Sequence, residues 1–262
     1  MREKWKIASI LVAAAGMASP AFGATSGTIS YFENTVGSTT TPASTFDPTP
    51  TSTPAIITAI LSKPGTFNGK TYTSYAIFAN DGTGSADVFG KLPTGSTYTP
   101  TVGDDVSGVT GTWSPYQQIP ELESMTSISA NSSGNPVPAI GTTTIPLLNV
   151  ATLSYSIAGY LLDLDNVTIT GQTAGEKFGI TNIALTVTDT LGNSMELYYW
   201  PTSYSAANVN LFGETIPTGP VDISGFGSVY TPAVGAAEPE FNPISMVSVP
   251  EPVSAGLLTV SG

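Results

Sequence analysis

Carboxylates are the most abundant reactive groups in this 262-residue chain, which holds 19 Asp and Glu, and their spacing bounds the chemistry open to it. Asp163 and Asp165 stand two apart in Leu162-Asp163-Leu164-Asp165-Asn166, so a strand there turns both toward one face, with Asn166 beside them. Asp81 with Asp87, and Asp104 with Asp105, are further pairs that folding can bring together. Paired carboxylates can run glycoside hydrolysis, and oxygen clusters can hold Ca²⁺. None of these spacings matches a calcium-binding loop, and Asp or Asn in turns more simply accepts local backbone hydrogen bonds. The expectation is turn-forming carboxylates, with no catalytic residue, metal ligand or cofactor site.

Absent residue types narrow the choice further. The chain has no His and no Cys. That removes the usual general base, the commonest transition-metal ligand, the thiol nucleophile and the disulfide. Ser and Thr abound, yet a serine nucleophile needs a positioned base, and no lysine lies in a Ser-x-x-Lys string. The reading is of a protein that is not an enzyme. Aromatic residues offer a binding chemistry instead: Trp113, Tyr116, Tyr198, Tyr199, Trp200, Tyr204 and Tyr230 fall in or beside apolar segments. Alternation lets Met195, Leu197 and Tyr199 fill a core while Tyr198 and Trp200 face outward. Trp113, Tyr198 and Trp200 are the candidate platform on which sugar rings would stack.

The elements that must position these residues are strands. Val109-Thr110-Gly111, then Pro120-Glu121-Leu122 and Met125-Thr126-Ser127-Ile128, is matched later by Ile223-Ser224-Gly225, Pro239-Glu240-Phe241 and Ile244-Ser245-Met246-Val247. Such self-similarity marks one β domain used twice. Period-two segments fall at Ile56–Leu61, Tyr75–Ala79, Ser85–Gly90, Val106–Trp113 and Glu123–Ala130. They recur at Leu161–Ile169 (expected to bulge), Ala184–Thr188, Met195–Trp200, Val221–Tyr230 and Pro243–Val249. Asn80-Asp81-Gly82-Thr83-Gly84 and Asp189-Thr190-Leu191-Gly192-Asn193 supply turn residues. Ser203–Phe212 is the best window for a short helix. Five short strands per unit suit a small closed Greek-key barrel of the OB type, with an immunoglobulin-like sandwich as the competitor.

The ends and joints read differently. Arg2, Lys4 and Lys6 precede an apolar run from Ile7 to Ala18 and Ala21-Phe22-Gly23, the layout of a secretory signal peptide over residues 1–23. Residues 24–53 are rich in Thr, Ser and Pro and read as an extended tether, in which Ile29–Phe32 can add one strand. The first domain spans 54–130, a polar linker 131–150, the second domain 151–248 and a tail 249–262. The chain carries a formal charge of −12, and loss of the signal leaves four lysines against eighteen acids, about −14. Such a surface repels nucleic acid and anionic lipid, so neither is an expected partner.

Ala158–Ile169, Val187-Thr188-Asp189, Pro217–Gly225 and Ile119–Leu122 resemble the tandem OB-like domains of exported bacterial proteins, notably of planctomycete and verrucomicrobial type. Val249-Pro250-Glu251-Pro252, followed by Val253–Leu258, is similar to the start of a PEP-CTERM sorting signal in truncated or degenerate form, since neither a full apolar span nor a basic end follows. The resemblance implies secretion to the cell envelope or matrix, processing by an exosortase-type enzyme, and a structural or adhesive role. Exopolysaccharide or envelope components are the implied partners. A carbohydrate- or Ca²⁺-binding module is the alternative, and no stable membrane span is expected in the chain.

Overall fold

The computed structural model describes residues 26–33, 41–46, 55–67, 70–116, 118–138, 141–149, 153, 159–179, 181, 183–199, 210–232 and 235–249. β1 (Ser26–Gly27), a helical turn α1 (Ile29–Tyr31) and β2 (Thr41–Phe46) come first. β3 (Ala55–Ser62), a small hairpin of β4 (Gly65–Phe67) and β5 (Lys70–Tyr72), β6 (Tyr75–Asn80), β7 (Ser85–Gly90), β8 (Asp105–Trp113) and β9 (Glu121–Ser132) follow. β10 (Gly141–Thr143) and a 3₁₀ turn (Ile145–Leu147) lead to β11 (Leu162–Thr170), β12 (Ile183–Thr188), β13 (Ser194–Tyr199), β14 (Val221–Tyr230) and β15 (Glu238–Ser248).

Two closed five-stranded barrels result, as the strand count suggested. In the first, β3 pairs β6, β6 pairs β7, β7 pairs β9 in parallel, β9 pairs β8, and β8 returns to β3. The second closes identically through β11, β12, β13, β15 and β14, again with one parallel seam, β13 against β15. This is the OB arrangement, met twice. Val106, Val109 and Trp113 of β8 lie inside the first barrel with Ile57, Ile77, Val88 and Leu122; Val106 and Val109, three apart, share that side because β8 bulges between Ser107 and Thr110, where Gly108 takes a φ of +56°. Leu164, Val167, Leu185, Leu197, Tyr199, Ile223 and Phe241 fill the second. Leu164 and Val167 both point inward although three apart, because β11 bulges between them and Asn166 takes a φ of +50°.

The repeated Thr/Ser-Gly has a steric reason. A Cβ on Gly111 would lie 2.4 Å from the carbonyl oxygen of Glu123, and one on Gly225 would lie 2.2 Å from that of Asn242. In both barrels the fifth strand crosses directly over that glycine of the fourth, leaving no room for a side chain. The position is the same relative to each Pro-Glu.

Three expectations need correction. Residues 24–53 are not simply a tether, because Ile29 and Phe32 are fully buried in the first barrel's core. β2 also runs antiparallel to β8. Two apolar side chains at helical spacing outweigh the polar composition around them. Residues 131–150 are likewise more than a linker: β9 continues to Ser132, β10 pairs β11, and Ile145 and Leu148 are buried in the second core. The last strand begins at Glu238, five residues before the expected Pro243, since Pro239 and two glutamates hid its apolar pattern. Each barrel is thus preceded by a segment that plugs it.

The expected signal peptide at 1–23, most of the helix window at Ser203–Phe212, and Pro250 onward lie outside the described residues. Val249 is described, and its N–H donates to the carbonyl of Pro220 at 3.0 Å. Among the described residues no helix is long and apolar enough to cross a membrane.

Candidate functional site

The barrels meet through a buried apolar seam. Phe78, on the outer face of β6, stacks on Phe226 of β14 with ring centroids 4.6 Å apart. Ala59, Ile119 and Ile244 complete the buried cluster, with Leu61 and Leu161 packed against it. At one margin the Ser85 hydroxyl donates to the Gly159 carbonyl at 2.9 Å, and at another the Asn210 amide donates to the Ile60 carbonyl at 3.3 Å. Outer faces of strands two and three, with the loop between strands four and five, are where OB barrels hold extended ligands. In the first barrel part of that face, Phe78 and Ile119, is spent on the second barrel.

Beside the seam a cleft of about 660 Å³ opens between the two units. Ala59, Ile60, Val102, Leu161 and Ile244 give it apolar walls, while Thr58, Thr99, Thr101, Asn210, Ser224 and Ser245 add hydroxyls and an amide. Ser224 and Ser245 are register partners across β14 and β15, so the two hydroxyl-bearing residues lie side by side. Tyr75 contributes a phenol whose burial raises its pKa, keeping it a proton donor. Among the described residues Lys63 is the single charged residue of the lining, and no carboxylate belongs to it. In a chain of charge −12 that is a marked local exception.

The carboxylates gather elsewhere. Asp81 is 2 % exposed: one oxygen accepts from the Thr83 N–H (2.9 Å), the Thr83 hydroxyl (2.7 Å) and the Gly84 N–H (3.0 Å). Its other oxygen accepts from the N–H of Ile29 at 2.8 Å, tying α1 to the β6–β7 turn. Glu33 lies beside it, 7 % exposed, with Oε1 lacking a hydrogen-bond partner. Burial, then the charge of Asp81, pushes the Glu33 carboxyl up to about 8, against a smaller pull from the Ser85 N–H. Burial, then Glu33 and Asp81, raises the phenol of Tyr160.

Asp87 does not meet Asp81. It lies opposite Glu121 across the parallel seam of β7 and β9, and its Oδ1 accepts from the Ile77 N–H at 3.1 Å. Burial raises the Asp87 carboxyl. Burial, then Asp87 and Glu123, raises Glu121 as well, so the pair holds a proton at neutral pH. The second barrel repeats the placement, with Glu196 opposite Glu240 on its own parallel seam. These seam acids were not among the expected pairs, yet a signal exists: Ser85-Ala86-Asp87-Val88-Phe89 and Ser194-Met195-Glu196-Leu197-Tyr198 share one pattern, each later answered by Pro-Glu.

Other expected residues fall as follows. Asp104 is 1 % exposed; burial opposes its ionisation, but hydrogen bonds from Ser133, Tyr98 and Thr101 hold its pKa below the ordinary value. It braces the loop before β8, and Asp105 begins that strand. Asp163 is half-buried and Asp165 exposed at the β11 bulge, where the Asn166 N–H donates to Asp222 at 2.8 Å. Among the described residues no group of three or more acidic side chains is placed to hold a metal ion.

The aromatic platform divides. Trp113 is fully buried, with Phe32 of the N-terminal segment 5.2 Å from it, so it presents no face to a sugar. Position 113 follows Val109 by an even step beyond the β8 bulge, which explains the burial. Met195, Leu197 and Tyr199 fill the second core as expected, and Tyr198 is half-buried on the outer side, opposite Ala184. Trp200 lies outside the described residues.

No protein-family model matches the chain, and no curated protein matches it. Among solved structures it is similar to one titled "Structure of murine DNA binding protein bound with ds DNA", at 12% identity and a TM-score of 0.38, covering 74% of this chain and 97% of that one. It is also similar to one titled "Structural mimicry for functional antagonism", at 10% identity and a TM-score of 0.35, covering 78% of this chain and 88% of that one. Likeness at these scores carries no argument about ligand or partner.

Proposed function

We propose that this chain is a non-enzymatic exported protein of the cell envelope or extracellular matrix, whose paired barrels form one adhesive body holding a neutral polysaccharide in the inter-barrel cleft. The observation that carries this reading is the cleft lining: hydroxyls, an amide, a phenol, one lysine and aliphatic walls, with no carboxylate among the described residues of an otherwise acidic chain. Sugars offer both hydroxyls and apolar C–H faces, which is the chemistry such walls match. Its volume of about 660 Å³ is that of a site for a few sugar rings rather than one small ion. The −12 charge speaks against a phosphate backbone, and the burial of Phe78 and Ile119 removes part of the OB face by which nucleic acid would be held.

Calorimetric titration with a soluble neutral glucan tests the reading, with a polyuronate and single-stranded DNA as comparison probes. Tyr75→Ala and Asn210→Ala should each weaken glucan binding about tenfold, roughly 1.4 kcal/mol, while the fold is unchanged by circular dichroism. Glucan binding indifferent to both substitutions would refute the placement, and preferential binding of DNA would refute the class.

A further inference from the structure

One wall of the inter-barrel cleft is a run of chain with neither helix nor strand. Thr99, Pro100, Thr101 and Val102 are four consecutive lining residues, and they belong to the connection from Lys91 to Asp104 between β7 and β8. Of the four only Pro100 is buried, so burial alone does not hold the run in place. A strand keeps its register through its ladder, whereas a wall built from a loop must be fixed by other bonds.

Asp104 supplies them. Its Oδ2 accepts from the Tyr98 hydroxyl at 2.7 Å and from the Thr101 N–H at 2.9 Å, gripping the run just ahead of its first residue and again within it. The Asp104 N–H donates to the Thr101 carbonyl at 3.0 Å and closes the turn. Asp104 is 1 % exposed and its pKa is held below the ordinary value, so both side-chain bonds end on a charged acceptor and are stronger for it.

The barrel's own anchor does not use that oxygen. The Ile57 N–H donates to the Asp104 carbonyl, and the Gly103 N–H to the Ile57 carbonyl, each at 2.9 Å. The backbone N–H and the side-chain amide of Asn135 both donate to the Gly103 carbonyl, again at 2.9 Å. Main-chain bonds thus tie the end of the loop to β3, and the carboxylate binds the part that lines the cleft. β3 continues from Ile57 into Thr58, Ala59 and Ile60, which line the same cleft, so two of its walls are joined at this point.

We infer that Asp104 is the positioning residue of the cleft: without touching the ligand, it fixes the wall Thr99–Val102 against which the sugar chain is held. A loop already set in its bound shape saves the ordering cost of binding. The inference rests on the polysaccharide reading and adds to it the residue that shapes the site.

The test uses the full chain. Asp104→Leu removes the acceptor with a side chain of similar branching, and Asp104→Asn keeps an acceptor without the charge. Both are compared with the parent by calorimetric titration with the soluble neutral glucan, and by site-resolved hydrogen exchange in its absence. Asp104→Leu should weaken glucan binding about tenfold and speed exchange of the Thr101 amide about tenfold, while the Gly103 and Ile57 amides keep their rates. Asp104→Asn should fall between, about threefold weaker than the parent, a graded rescue that follows the acceptor. Glucan binding that Asp104→Leu leaves intact overturns the inference and spares the polysaccharide reading. Gly103 and Ile57 exchanging as fast as Thr101 overturns it too, since the whole loop has then left the barrel. A parent chain that takes up no glucan refutes the polysaccharide reading itself, and the inference falls with it.

Discussion

Replacing Glu33 by glutamine isolates a carboxyl that the fold buries beside Asp81 while leaving its Oε1 without a hydrogen-bond partner. In the native chain Glu33 keeps its proton to about pH 8, whereas the unfolded chain releases it near the ordinary value of 4.5. The native state therefore binds more protons throughout that window, and stability must fall as pH rises through it. Below about pH 4.5 the contribution is intact, and above about 8 the loss is complete. At ~1.4 kcal/mol per pH unit the full shift would amount to ~5 kcal/mol. Solvent screening and relaxation toward the Ser85 N–H reduce this to about 2–3 kcal/mol. Groups facing Glu33 are Asp81 on the β6–β7 turn and Tyr160 ahead of β11; Tyr160 stays neutral in this window, leaving the Asp81 charge as the repelling partner. Urea unfolding at pH 5 and pH 8 should show the parent losing about 2–3 kcal/mol more than Glu33→Gln across that interval. Equal losses in the two proteins would refute the assignment.

Other perturbations have equally direct readouts. Asp87→Asn should flatten the remaining alkaline loss of stability, because burial and the Glu121 carboxyl make ionisation of this seam costly; an unchanged slope after both substitutions would place the titration elsewhere. Gly225→Ala should cost more than about 3 kcal/mol or prevent folding, since its Cβ would meet the Asn242 carbonyl, and Gly111→Ala should do the same in the first barrel; ordinary melting temperatures for either would contradict the crossing geometry. Phe226→Ala should cost about 3–5 kcal/mol and split a single calorimetric transition into two, one per barrel, as the apolar seam loses the ring that packs on Phe78.

The fold was legible where burial alternates with simple periodicity. Ser85–Gly90 and Val221–Tyr230 form strands with the bounds their patterns suggest, because their inward residues fall at every second position. β15 was legible only in part: Pro239 and the glutamates at 238 and 240 look like a loop, yet Glu240 is 1 % exposed and lies on the strand beside Glu196. The N-terminal plug was least legible. Ile29 and Phe32 are two apolar residues in a stretch of Thr, Ser and Pro, and only a tertiary groove makes them core. The site suffered from the same limit. Periodicity places a residue on a face, but not which faces two barrels cover when they meet, so neither the seam at Phe78 nor the cleft beside it leaves a local mark. Trp113 shows a related error: alternation counted from Val106 turns it outward, and only the β8 bulge at Gly108 brings it into phase with Val109 and into the core.

Comparison of the two barrels separates what the architecture demands from what this chain adds. The glycine under the crossing, the opposed acids on the parallel seam and the preceding plug occur in both units, at matching strands. Features needed twice in the same place answer to the barrel itself, so the seam acids are first of all part of how strands three and five are brought together. The outer faces, by contrast, have diverged. β6 carries Phe78 at the position that buries against the neighbour, while the corresponding strand β12 turns Ala184 and Thr186 to solvent. Only asymmetry of this kind lets two copies of one fold dock face to side and leave an uncharged cleft beside the contact. Function is therefore to be sought where the repeat is broken, as it is at the Phe78 contact, and the cleft beside that contact is lined from both units: Tyr75 and Val102 from one, Leu161 and Asn210 from the other. Substitution of the exposed Val102 should change ligand binding without moving the unfolding transition, whereas substitutions at the repeated positions should do the reverse.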